Sequence, residues 1–203
     1  MASLLARNKL ARLARRLNAH CGWGLPPLIF VTDDNRVPDP YAVALSLPRR
    51  SAILLRHRND KQRADLGAVL AKLARQRDLM LLIAGDPALA MRLGADGVHF
   101  SEAQMDEVAP FRTRRPNWII TAAAHSERAL LYAKRSGADA SLLARLFPTK
   151  SHPQKSSFGL SRFRLLAARA PLPVYALGGI TASNAERLSN ARLAGIAAID
   201  GLL

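Results

Sequence analysis

The sequence predicts a parallel α/β fold, a (β/α)8 TIM barrel with an extra N-terminal helix and a truncated last helix. Three observations carry this expectation. Eight short apolar runs recur along 203 residues, their starts roughly 18–33 residues apart, which is the length of a strand, a helix and two loops. Helical patterns occupy most of the intervals. The runs are continuously apolar rather than alternating, as in strands buried on both faces, and eight such units favour closure over an open sheet.

The first element is a basic amphipathic helix over Ser3–Ala19. A step of about 100° per residue gathers Ala6, Leu10, Leu13, Ala14 and Leu17 on one side, with Lys9, Arg12, Arg15 and Arg16 mainly on the other. Such a helix fits a membrane surface or a targeting peptide. The favoured reading is a helix packed on the domain with its basic face in water; no continuous apolar stretch of a secretory signal exists. Gly22, Gly24, Pro26 and Pro27 end it, dividing residues 1–25, helix and linker, from a barrel over 26–203. Strands are expected at Leu28–Thr32, Ala52–Leu55, Leu79–Ile83, Gly97–Phe100, Trp118–Ala122, Ala140–Leu143, Pro173–Ala176 and Gly195–Ile199. Helical patterns lie at Lys61–Gln76, Pro87–Leu93, Ser126–Arg135, Ser161–Ala170 and Thr181–Arg192, with weaker ones at Pro40–Leu47 and Glu102–Val108. Gly94 and Gly137 stand where helices end and turn back toward strands. Gly178 and Gly179 follow the seventh run, at the rim where barrels place ligand phosphates on backbone N–H groups. Only Asp200, Gly201, Leu202 and Leu203 follow the eighth run, so an apolar flank is left for the N-terminal helix or a partner subunit to cover.

Composition narrows the class. An apolar fraction of 49% supports a real core, and a single cysteine, Cys21, excludes an internal disulfide framework and a multi-cysteine metal site. A reduced, cytoplasmic setting is expected. No apolar run reaches the roughly 18–20 residues of a membrane span. Thirty Lys and Arg against fifteen Asp and Glu leave a formal charge of +15, which attracts phosphates and polyanions without specifying a fold. The basic residues are spread along the chain with no zinc-finger or RNA-binding signature, so no specific nucleic-acid partner is expected.

Several stretches together resemble one family, the thiamine-phosphate synthase/TenI group. They are Leu28–Asp33 (LIFVTD), Leu54–Arg58 (LLRHR), Gly94–Phe100 (GADGVHF), Ala124–Ser126 (AHS), Phe147–Thr149 (FPT), Ala176–Thr181 (ALGGIT) with Asn184, and Ala194–Asp200 (AGIAAID). Their order and spacing match the family across residues 28–202. The resemblance implies the barrel, a place in thiamine biosynthesis, and a small phosphorylated heterocycle as ligand, thiazole phosphate above all. Synthases of this group join it to a hydroxymethylpyrimidine pyrophosphate with Mg²⁺, whereas the TenI branch moves a proton on the thiazole phosphate through a histidine.

Site by site, the resemblance is uneven. Where synthases hold pyrophosphate with Gln-x-Arg-x-Lys, this chain has Leu54, Arg56 and Arg58, keeping two cations suited to phosphate oxygens. Where they hold Mg²⁺ with Asn-Asp and a second carboxylate, it has Ala84, Gly85 and Gln104, with Asp86 and Glu102 as displaced candidates. The phosphate loop retains hydroxyls at Thr149 and Ser151, flanked by Lys150, His152 and Lys155, and Gly178 and Gly179 match fully. Asp200 stands where the family has serine; beside a bound dianion it would repel by roughly 4 kcal/mol per charge pair at 4 Å. His125 matches the TenI histidine, and an imidazole can take and return a proton without a metal.

The resulting expectation is metal-independent, TenI-like proton transfer. His125 would be catalytic, and Arg56, Arg58, Thr149, Ser151, Gly178 and Gly179 would hold phosphate, with no cofactor and no metal-ligand set. The alternatives are a synthase with a rearranged Mg²⁺ site and a non-catalytic ligand-binding barrel. A homo-oligomer is compatible with all three.

Overall fold

The computed structural model describes residues 4–19, 24–57, 60–148 and 157–203. Helix α1 (Leu4–Ala19) precedes strand β1 (Leu28–Val31), and strand and α-helix then alternate except between the last two strands. The order is α2 (Pro40–Leu45), β2 (Ala52–Leu55), α3 (Asp60–Arg77), β3 (Met80–Ala84), α4 (Pro87–Leu93) and β4 (Gly97–Phe100). Then come α5 (Val108–Arg114), β5 (Ile119–Ala124), α6 (Glu127–Ser136), β6 (Ala140–Ala144), α7 (Gly159–Arg169), β7 (Val174–Leu177) and β8 (Gly195–Ala198). All pairings are parallel, each strand beside the next, and β8 returns to β1 through the Leu28–Ile196 and Phe30–Ala198 registers. The ring is closed. This is the (β/α)8 barrel that eight continuously apolar runs predicted.

Alternation along each strand separates two cores. Ile29, Val31, Ala52, Leu54, Leu82, Leu142, Tyr175 and Ala197 pack inside the ring. Leu28, Phe30, Ile53, Leu55, Leu81, Ile83 and Leu143 face outward into the layer beneath the helices. Local chemistry fixes where the helices start and stop. Asp39 and Asp86 each precede a proline at the first helical turn, and their carboxylates accept the N–H groups of Ala42 at 2.9 Å and Leu89 at 2.8 Å. Gly94 and Gly137 end α4 and α6 in the left-handed region that glycine tolerates best.

The outer face of β8 and β1 is covered from within the chain. Leu10, Leu13, Ala14 and Leu17 of α1 are buried, and the helix packs against β8, β1 and the short turn Asp200–Leu202. Asn18 fastens it by donating to the carbonyls of Leu25 at 3.0 Å and Ala194 at 2.7 Å. Arg16 pairs with Glu186 at 3.1 Å on the outer side.

Two segments depart from the sequence reading. Thr181–Arg192 contains only a 3-10 turn at Ala185–Leu188, because local side chains capture the backbone. Asn184 accepts the Thr181 N–H and donates to the Gly179 carbonyl, while Thr181 and Ser183 bond each other. The weak pattern at Glu102–Val108 is a 3-10 turn over Glu102–Glu107 that runs on into α5, whose Pro110, Arg112 and Arg114 hide any amphipathic period. Among the described residues, no helix is long and apolar enough to cross a membrane.

Candidate functional site

The inward positions that fill the ring also shape its carboxyl-terminal mouth. The last inward residues of successive strands (Val31, Leu54, Ala84, His99, Ala123, Leu142, Leu177 and Ala197) floor a cavity of about 500 Å³. Its rim carries Arg36, Arg56, Ser101, Gln104, His125, Arg145, Gly178, Gly179 and Asp200. An apolar floor with a few convergent polar groups is the usual form of a small-molecule site, at the barrel end where such sites lie.

Charge on the β8–β1–β2 side is internally matched. Asp33, one residue past Thr32 at the end of β1, accepts from Arg36 at 3.0 Å, from Arg56, and from the N–H groups of Asn35 and Arg36. Arg36 reaches on to Asp200 at 3.4 Å. Burial alone would raise the Asp33 carboxyl; the Arg36 hydrogen bond and the charges of Arg36 and Arg56 outweigh it and lower it to about 2. Asp200 therefore does line the mouth, held against a guanidinium rather than facing the cavity unpaired. Arg56 follows β2 directly, but its guanidinium is engaged by Asp33.

Three histidines border this region, each fixed through Nδ1. His125 continues the inward register of Thr121 and Ala123, and its Nδ1 lies 2.8 Å from the Ala144 carbonyl oxygen. A carbonyl only accepts, so Nδ1 carries the proton and the neutral ring keeps a lone pair on Nε2. His99 bonds the Thr121 hydroxyl at 2.9 Å; burial first, then the Arg56 charge, push it down to about 4, so it is neutral at pH 7. His57 bonds the Thr32 hydroxyl at 3.0 Å and is lowered chiefly by burial, against the opposing pull of Asp34 and Asp33.

The opposite side of the mouth is built from the ends of β6 and β7. Gly178 and Gly179 both have positive φ, 109° and 62°, and the backbone there is too close for a side chain: a Cβ on Gly179 would lie 2.4 Å from the Pro148 carbonyl oxygen. Among the described residues no backbone carbonyl accepts either glycine's N–H. Arg145, absent from the sequence expectation, lines the same side, and its Nε is enclosed without a hydrogen-bond partner. Only its position directly after a continuously apolar strand could have marked it. Arg58, Thr149 and Ser151, expected to hold phosphate, lie outside the described residues.

Of the positions expected to hold Mg²⁺, those matched to the family bring no carboxylate in this chain, and Glu102, a displaced candidate, lies exposed in the turn after β4. Asp86 is occupied as the cap of α4, and Ala84 and Gly85 bring no side-chain oxygen. Gln104 accepts from the Ser101 hydroxyl at 2.9 Å and donates to the Gly85 carbonyl at 3.2 Å, closing the gap where a carboxylate would stand. No group of three or more His, Cys, Asp or Glu side chains suited to a metal occurs among the described residues.

Comparison with known proteins agrees with this architecture. The family model described as thiamine monophosphate synthase (TMP-TENI) matches residues 28–202. The thiamine-phosphate synthase of Pyrococcus furiosus is 31% identical over 180 residues, covering 87% of this chain and 86% of that protein. That of Alcanivorax borkumensis is 30% identical over 182 residues, covering 86% and 84%. The solved structure of thiamine phosphate pyrophosphorylase from P. furiosus superposes with a TM-score of 0.72 at 26% identity, covering 95% of this chain and 87% of that one. With the closed ring, the paired glycines and a model match over most of its length, the chain belongs to the thiamine monophosphate synthase family.

Proposed function

We propose that this member of the family is a metal-independent, TenI-like enzyme of thiamine metabolism that binds thiazole phosphate or a closely related phosphorylated heterocycle and shifts a proton on it. The observation that carries the reading is the His125–Ala144 hydrogen bond, which leaves a basic Nε2 on the wall of a cavity suited to a small heterocycle. In a tautomerisation, Nε2 accepts a proton from ring-adjacent carbon, holds it as imidazolium and returns it at another position, so nothing is gained or lost overall. The N–H groups of Gly178 and Gly179 would receive the phosphate, with Arg58, Thr149 and Ser151 as further ligands expected from the sequence, whereas Arg56, also expected there, is held by Asp33. His99, already neutral and hydrogen-bonded, positions the wall beside this group. Because Asp86 and Gln104 are engaged, no step is routed through Mg²⁺. The reading fits a cytoplasmic enzyme and permits a homo-oligomer.

A tautomerase assay on thiazole phosphate tests it. Replacing His125 by Ala is expected to lower kcat by about 10²–10⁴-fold while leaving ligand binding largely intact. Equal turnover by both proteins, or none by either, would refute the assignment. The names of the relatives favour a second reading, thiamine-phosphate synthesis itself; formation of thiamine phosphate from both synthase substrates with Mg²⁺ would put it first.

A further inference from the structure

We propose that Arg145, not the arginine after β2, is the cation that selects an anionic group on the ligand. The argument begins with the charges already matched. Asp33 holds Arg36 and Arg56, and Arg36 also holds Asp200, so two guanidiniums face two carboxylates in a closed chain. A ligand phosphate approaching Arg56 would compete with Asp33, and one approaching Arg36 would meet Asp200. Among the described residues no carboxylate restrains Arg145: it forms no ion pair, and its Nε, like that of Arg56, is enclosed with no partner. The sequence that follows, residues 149–156, reads TKSHPQKS and contains no acidic residue.

Position completes the case. A Cβ built on Gly178 would lie 3.1 Å from the Arg145 Cα and 3.2 Å from the Leu146 nitrogen, so the root of Arg145 is in contact with the paired glycines. The Arg145 carbonyl accepts the Phe158 N–H at 2.8 Å, and the Leu146 and Phe147 N–H groups bond the Leu177 and Gly178 carbonyls, which ties this stretch to the end of β7. An oxyanion seated on the glycine N–H groups would thus lie beside an arginine that lines the same cavity and has no ion pair among the described residues. A planar fork of N–H donors is matched by a phosphate monoester or another tetrahedral dianion. Among the described residues the cavity is polarised: matched in charge toward β8, β1 and β2, and positive toward β6 and β7. Asp200 then works against an anion placed on its own side and directs it to Arg145.

The inference rests on the reading above that the cavity takes a phosphorylated heterocycle, and the experiment separates the two. Calorimetric titration of the full chain with inorganic phosphate, pyrophosphate, thiazole phosphate and the dephosphorylated thiazole alcohol is compared with Arg145→Gln and Arg145→Lys. Arg145→Gln is expected to weaken the anions at least tenfold and to leave the alcohol unchanged; Arg145→Lys, which keeps the charge but not the fork, is expected to fall between. Should Arg145→Gln fail to fold, a several-fold loss in Arg145→Lys confined to the anions is the readout. Wild-type affinity for the anions in these variants, or no anion binding by the wild type, would overturn the proposal. Arg145-dependent binding of phosphate and pyrophosphate without binding of thiazole phosphate would leave Arg145 in this role and reject the ligand assigned above.

Discussion

Asp33 accepts from two guanidiniums and two backbone N–H groups, so its charge is required by the native mouth of the barrel. Its folded value of about 2 lies below the ordinary carboxylate value, so its contribution, on the order of 2 kcal/mol, is present above about pH 4 and fades as the pH falls toward 2. His99 acts in a separate window. It is held neutral down to about pH 4, whereas an unfolded histidine takes up its proton near pH 6.5. Between these values the unfolded chain binds the extra proton, so stability falls as the pH drops. Denaturant titrations at pH 7 and 4.5 should therefore show His99→Gln losing about 2 kcal/mol less than wild type on acidification; equal losses would contradict this. Single residues were unequally legible in the sequence. The placement of His125 and the glycine pair at the mouth was legible because their place after a strand decides their exposure. The Asp33–Arg36–Asp200 chain was not, since Arg36 and Asp200 are 164 residues apart and only ring closure joins them. On a chain with a +15 charge, Arg145 resembled the many arginines expected at the surface.

Strands are the elements the sequence conveyed best, because burial on both faces leaves a continuous apolar signature; Ala52–Leu55 and Gly97–Phe100 have the expected ends. Between β7 and β8 the pattern misled, since apolar spacing says nothing of Asn184 capturing the turn's own backbone. The first helix was legible as amphipathic, while the surface it would cover was a matter of elimination. That surface is β8, β1 and the final turn. Leu13→Ala should cost about 2–4 kcal/mol, measurable by chemical denaturation, because Leu13 is buried at this seam. Removal of residues 1–20 is expected to leave an insoluble or self-associating barrel. A truncated protein that stays folded, soluble and unchanged in subunit number would show that α1 is dispensable.

For the whole molecule, the arginine excess is partly structural. Arg112 donates to the carbonyls of Gly137, Pro116 and Trp118 and pairs with Asp139, Arg164 bonds the Arg187 carbonyl, and Arg187 and Arg115 lie over the rings of Phe147 and Trp118. The remaining charge should give weak binding to DNA or RNA that ignores sequence and falls at least tenfold between 50 and 200 mM salt. Sequence-selective binding that persists at 200 mM would contradict this. The docking of α1 has a further consequence during synthesis. Asn18 finds Ala194 across 176 residues, and at 5–20 residues per second the ribosome takes roughly 9–35 s to deliver that partner. Throughout that interval the leucine stripe of a positively charged helix has no native seat, so the nascent polypeptide offers chaperones a greasy, cationic handle that vanishes only when the ring shuts.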